Sequence, residues 1–181
     1  MRVVCSVVAA VFLIAPGPST ALTVLPATFE ELVRESTAVV YGTVISVRGA
    51  WTVDRRTIES VVTLNAVEHF KGTDTDVTTF SVPGGEASGR ILIIPGAPTF
   101  RPGDSVVVFL RGQAPSMPSP VGLSLGVYRV APSPRDGALM VLPTPVHAVE
   151  TSAAVTRGAA SRAPRTLSRF AADVRAVSDL R

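Results

Sequence analysis

Apolar residues alternate with polar ones through most of the chain and recur at three- and four-residue steps only near its two ends. The densest run is Val106-Val107-Val108-Phe109-Leu110, with no polar residue inside it. β-Branched and aromatic residues in so short a run read as a strand covered on both faces. Just before it, Pro102-Gly103-Asp104 forms a tight turn: Pro fixes φ, Gly supplies a permissive backbone and Asp bonds its own main chain. A strand covered on two faces lies in the middle of a fold, so the other elements are expected to wrap residues 105–110.

Those elements follow from the same pattern. Thr28-Phe29-Glu30-Glu31 is a capping box, and Phe29, Leu32 and Val33 give a short helix an apolar face. Residues 38–47 form the first strand, with Val39, Tyr41, Thr43, Ile45 and Val47 on one face and Val40, Gly42, Val44 and Ser46 on the other. Gly42 inside it marks a bulge or bend. Residues 49–55 turn the chain, 56–70 form a long second strand, and 77–82 a third that ends at Pro83-Gly84-Gly85. Residues 86–99 are a long connection carrying the apolar run Ile91 to Ile94, read as an added edge strand or a functional loop. Residues 121–130 and 138–142 read as a hairpin around Ser133-Pro134-Arg135-Asp136-Gly137.

Residues 151–165, rich in Ala, Ser, Arg, Thr and Pro, read as a flexible linker. Residues 166–181 form a C-terminal helix whose stripe of Leu167, Phe170, Val174 and Val177 is expected to dock on the sheet. A basic helix for a membrane surface or a partner is the alternative, weakened by Asp173 and Asp179.

Composition refines this picture. The chain has 181 residues, 46% hydrophobic and only 17% charged, with Gly 14 and Pro 15. That suits one folded domain of short strands and many turns. The net charge of +3 is uneven: residues 22–150 carry ten basic and twelve acidic side chains, a net of −2, whereas 151–181 carry six Arg and two Asp. The folded body therefore offers no basic face for nucleic acid.

Residues 1–21 read as a secretory signal peptide. Arg2 is its positive start, residues 3–14 its apolar core and Ser19-Thr20-Ala21 its cleavage site. Cleavage is expected before Leu22, leaving no transmembrane segment. Cys5, the one cysteine, lies inside this leader, so the mature chain is expected to have no disulfide. The expected location is periplasmic or secreted.

Three groups of residues, in order, carry a resemblance: Thr37-Ala38-Val39-Val40-Tyr41-Gly42-Thr43-Val44; Val67-Glu68-His69-Phe70-Lys71-Gly72; and Phe100-Arg101-Pro102-Gly103-Asp104 followed by Val106 to Leu110. The chain resembles a family of uncharacterised exported bacterial β-barrel proteins. It is similar in motif order to netrin-like domains and tissue inhibitors of metalloproteinases. The resemblance covers roughly residues 29–111 and implies an OB-like five-stranded barrel with a terminal helix. It implies no catalytic residue. Those inhibitors meet zinc through an N-terminal cysteine; the expected mature start here, Leu22-Thr23-Val24-Leu25-Pro26, has none, so that mechanism does not carry over.

The resulting expectation is a mainly β fold: a small OB-like β-barrel of five to six strands over residues 22–150, with a short N-terminal helix and a C-terminal helix. Chemistry is harder to place. The two histidines, His69 and His147, are far apart, and Asp74 and Asp76 read as turn formers. No nucleophile elbow, P-loop or dinucleotide fingerprint is present in the sequence. No cofactor and no metal are expected. The first reading is a non-enzymatic binding or structural module for a protein or peptide, with a protease-related partner suggested by the resemblance alone. Its candidate surface comprises Trp51, Arg55 and Arg56 in one turn and Glu86, Arg90, Ile91 and Ile93 in the long connection. The alternative is a small envelope hydrolase or metal-dependent enzyme using His69 with Glu68 or Asp74.

Overall fold

The computed structural model describes residues 28–112, 115–144 and 163–180. The leader, His147 and most of the expected linker lie outside them. Helix α1 (Phe29–Glu35) starts on the expected capping box: the Glu31 amide donates to Thr28 Oγ1 at 3.2 Å, and the Thr28 amide donates to Glu31 Oε2 at 2.7 Å. Strands β1 (Ala38–Trp51) and β2 (Ile58–Lys71) form a long antiparallel hairpin, and β3 (Val77–Pro83) pairs with β2. Two short strands, β4 (Gly85–Ala87) and β5 (Arg90–Leu92), make a separate hairpin. Strand β6 (Ser105–Arg111) is followed by β7 (Ser119–Pro120), a 3-10 turn at Leu123–Gly126, β8 (Val127–Pro132) and β9 (Leu139–Pro143). Strand β10 (Arg165–Thr166) pairs with β9 and leads into α2 (Leu167–Ser178).

The large antiparallel sheet runs β10-β9-β8-β6-β1-β2-β3, with β7 also on β6. As the composition of residues 106–110 predicts, β6 lies at its centre and is buried on both faces. Val107 and Phe109 enter one core, which also holds Phe29, Leu32, Val33, Phe70, Tyr128 and Phe170 from under the two helices. Val106, Val108 and Leu110 enter a second core with Val40, Val44, Leu64, Phe80 and Phe100, inside the fold of the sheet. The strand pairing does not close the sheet into a barrel. Between its β3 edge and the segment before β7, the Ser81 amide donates to the Pro118 carbonyl at 2.9 Å.

Several expectations are refined by physical detail. The face assignment of β1 holds through Val44 and then shifts, because Ile45 is an extra residue between the pairs Val44–Leu64 and Ser46–Thr63. Ile45 is consequently exposed, and Val47 packs against the inner core with Val44. The first turn spans 52–57 rather than 49–55, since strand pairing continues to Trp51–Ile58 and Thr52 closes the loop onto Thr57. Arg56 therefore lies in the turn, not in β2. The expected strand 121–130 begins only at Val127, because the 3-10 turn interrupts it. The expected linker ends early, with Arg165 hydrogen-bonded into the sheet opposite Val141. Helix α2 docks as its stripe predicts: Phe170 and Val174 are buried, with Leu167 and Val177 packed beside them.

Candidate functional site

The two stretches singled out in the sequence meet at one end of the molecule. Trp51 closes β1 and is half-buried; the Arg90 guanidinium lies over its ring, 5.9 Å from the centroid. Beneath them, β4 crosses β1 so closely that a Cβ added at Gly49 would stand 1.8 Å from the Glu86 carbonyl oxygen. The base of the hairpin is fastened by Ser60, whose hydroxyl donates to the Gly84 carbonyl at 2.8 Å. Glycine at 49 is thus a requirement of close backbone approach.

The β4–β5 hairpin turns through Ser88 and Gly89, both at positive φ (52° and 72°), the signature of a two-residue turn whose twist matches the strands. Glu86 pairs with Ile91, and both are exposed. Beyond it side chains alternate. Residues 91–94 all line a cleft of about 290 Å³ with Val47, Val82 and Phe100; Leu92 and Ile94 are half-buried, whereas Ile91 and Ile93 remain 71% and 82% exposed. Val53, at the tip of the β1–β2 turn, is also exposed.

That turn is well ordered by its own bonds. The Thr52 hydroxyl donates to Asp54 Oδ1 at 2.6 Å and the Arg56 amide donates to the same oxygen at 3.2 Å. The Thr52 hydroxyl, followed by the Arg56 amide, lowers the Asp54 carboxyl below its ordinary value. Arg55 sits at φ 55° and is exposed; Arg56 lies 3.9 Å from Asp54. Of the seven candidate surface residues, Trp51 closes β1, Arg55 and Arg56 lie in the β1–β2 turn, Glu86, Arg90 and Ile91 in the β4–β5 hairpin, and Ile93 just after it. Gly49, Leu92 and Ile94, which shape the site, were not among them. The glycine next to a turn and the Ser-Gly pair inside residues 86–99 are the signals that mark them.

The His69 group is arranged differently. His69 Nε2 lies 3.0 Å from the Thr75 carbonyl oxygen, so the ring is tied to the β2–β3 turn. Glu68 accepts from Arg175 of α2 at 2.6 Å. Asp74 and Asp76 line the same shallow depression. Among the described residues no group of three or more His, Cys, Asp or Glu side chains is placed to hold a metal ion. Glu68 is engaged in holding the C-terminal helix and His69 in holding a turn.

No protein-family model matches the chain, and no curated protein or solved structure shows significant similarity to it. What the site does must be argued from its own chemistry. It offers an apolar hairpin face, a cleft behind it and arginines beside it.

Proposed function

We propose that this protein is an exported, non-enzymatic module that binds a protein or peptide through the β4–β5 hairpin and the adjoining β1–β2 turn. The observation that carries this reading is the exposure of Ile91 and Ile93, with Arg90 over Trp51, on a hairpin pinned to the sheet through Gly49 and Ser60. Contiguous exposed apolar residues with a polar rim are the surface expected of an interaction site. Export rests on the leader-like residues 1–21. Among the described residues no helix is long and apolar enough to cross a membrane.

An OB-like barrel of netrin-like type belongs to the same proposal. The order β6-β1-β2-β3, the pairing of β7 with β6 and the Ser81–Pro118 bond across the remaining gap support it. In OB folds the loop joining the first two strands is among those that carry recognition, and Arg90 of the hairpin meets Trp51 at the start of the β1–β2 turn.

The test is capture from the native envelope and culture fluid by the purified protein, compared with the double variant Ile91→Ser, Ile93→Ser. A partner retained by the wild type and lost by the variant supports the reading. Equal capture by both removes the hairpin from function. N-terminal sequencing of the exported protein is expected to begin at Leu22; a retained leader would refute cleavage there.

A further inference from the structure

The hairpin ends in an edge that carries its own recognition code. Strand β5 pairs with β4 on one side, and among the described residues no strand lies on the other. In a hairpin with a two-residue turn, the pair flanking the turn, here Ala87 and Arg90, exchanges both main-chain bonds. The next residue, Ile91, therefore points its N–H and C=O away from β4; Ile93 follows just beyond the end of β5. Their side chains are the two exposed isoleucines. Natural edge strands are ordinarily blunted by charge, Pro or a bulge. β5 is only three residues long and opens on Arg90, but residues 91–94 carry no charge, and Pro95 comes only after them.

We infer that β5 is the docking edge for an extended peptide segment, which adds to it as an antiparallel strand. This rests on the binding reading above and names the mode and the partner class. Main-chain hydrogen bonds supply the affinity and alternate side chains the specificity in such complexes. The partner segment is apolar at alternate positions, to cover Ile91 and Ile93. It is acidic at its C-terminal end, which antiparallel pairing brings beside Arg90. Arg90 stands at that end, over the Trp51 ring, and forms no ion pair with a carboxylate among the described residues. A second copy of this chain fits less well. The exposed apolar side chains of this edge are two, Ile91 and Ile93, whereas a stable dimer buries about 800 Å² on each partner.

The probe is a synthetic eight-residue peptide alternating threonine with valine and ending in two aspartates, added to the intact protein. Expected results are slowed amide exchange at Ile91 and Ile93, and at least tenfold weaker binding when the peptide is N-methylated on the edge that faces β5. Ile91→Pro, which removes an outward N–H and no hairpin bond, is expected to weaken it similarly. Equal binding of the methylated and unmethylated peptides overturns strand addition. So does the lack of any protection at millimolar peptide, or a concentration-dependent dimer that Ile91→Pro abolishes. The two readings fail separately. A native partner lost with Ile91→Ser, Ile93→Ser but retained by Ile91→Pro leaves the binding surface and sinks the strand; a partner retained by both sinks the surface as well.

Discussion

Gly49→Ala tests how the candidate site is built. The added Cβ would stand 1.8 Å from the Glu86 carbonyl oxygen and 2.6 Å from its carbon, both backbone atoms. A carbon–oxygen contact needs about 3.3 Å, so about 1.5 Å must open between β1 and β4. Gly49 is held in the ladder opposite Ser60, so the movement falls on the hairpin. Overpacking of this kind destabilises by about 1–3 kcal/mol, which for a chain of this size lowers Tm by about 2–12 °C. The single tryptophan reports the displacement, because Trp51 sits under Arg90 at the same junction. Its emission is expected to shift to the red, and peptide or partner capture to weaken. Gly137→Ala is the control: its Cβ meets nothing within 4 Å, and only its φ of +72° opposes a side chain. Gly49→Ala with wild-type Tm and wild-type Trp51 emission would refute the close crossing of β1 and β4.

Three further outcomes follow from other parts of the fold. Lys71 Nζ donates to the Val33 and Ser36 carbonyls at 2.5 and 2.6 Å, satisfying the C-terminal end of α1. Lys71→Met is expected to lower urea-unfolding stability by about 1.5–3 kcal/mol, and an unchanged midpoint would contradict this role. Phe170 of α2 lies 5.1–6.3 Å from the rings of Phe29, Phe70, Phe109 and Tyr128. Phe170→Ala is expected to cost about 3–5 kcal/mol, and truncation after Glu150 to expose the same aromatic core to a hydrophobic dye; a truncated chain without dye binding refutes the docking. Asp54 has its carboxyl lowered in the fold, chiefly by the Thr52 hydroxyl. Its contribution is therefore present above the unfolded carboxylate pKa and lost as pH falls through the depressed folded value. Asp54→Asn is expected to remove that acid dependence from amide exchange in residues 52–57, and an unchanged pH profile would refute it.

Elements with a single dominant signal were legible in the sequence. The capping box placed α1, and the 3.6-residue stripe placed α2 and its buried face. The unbroken apolar run placed β6 between two cores. What period-two counting misses is any extra residue. Ile45 in β1 and Val67 in β2 interrupt the register, so side chains after each bulge change faces. Nothing local marks them, because a bulge is decided by what the neighbouring strand requires. The 3-10 turn at Leu123–Gly126 likewise interrupts a stretch that reads as one strand. It is held by Gly122 at φ 60° and by Gly126, where a Cβ would meet the Val121 carbonyl at 2.3 Å.

The site was legible as two stretches and not as one place. Trp51 and Arg90 are brought together by a crossing that depends on the absence of a side chain at Gly49, which no periodicity records. Residues 91–94 make the same point in another way. These four, Ile-Leu-Ile-Ile, are as unbroken an apolar run as residues 106–110, yet in the sequence they read as an added edge strand or a functional loop. For β6 the fold supplies both covers, one from the helices and one from the folded sheet. For residues 91–94 it supplies a cleft that all four line, with Leu92 and Ile94 half-buried and Ile91 and Ile93 exposed. An added strand would lie beside β5 and set its own side chains next to Ile91, which is why the methylated peptide distinguishes a docking edge from a merely greasy loop.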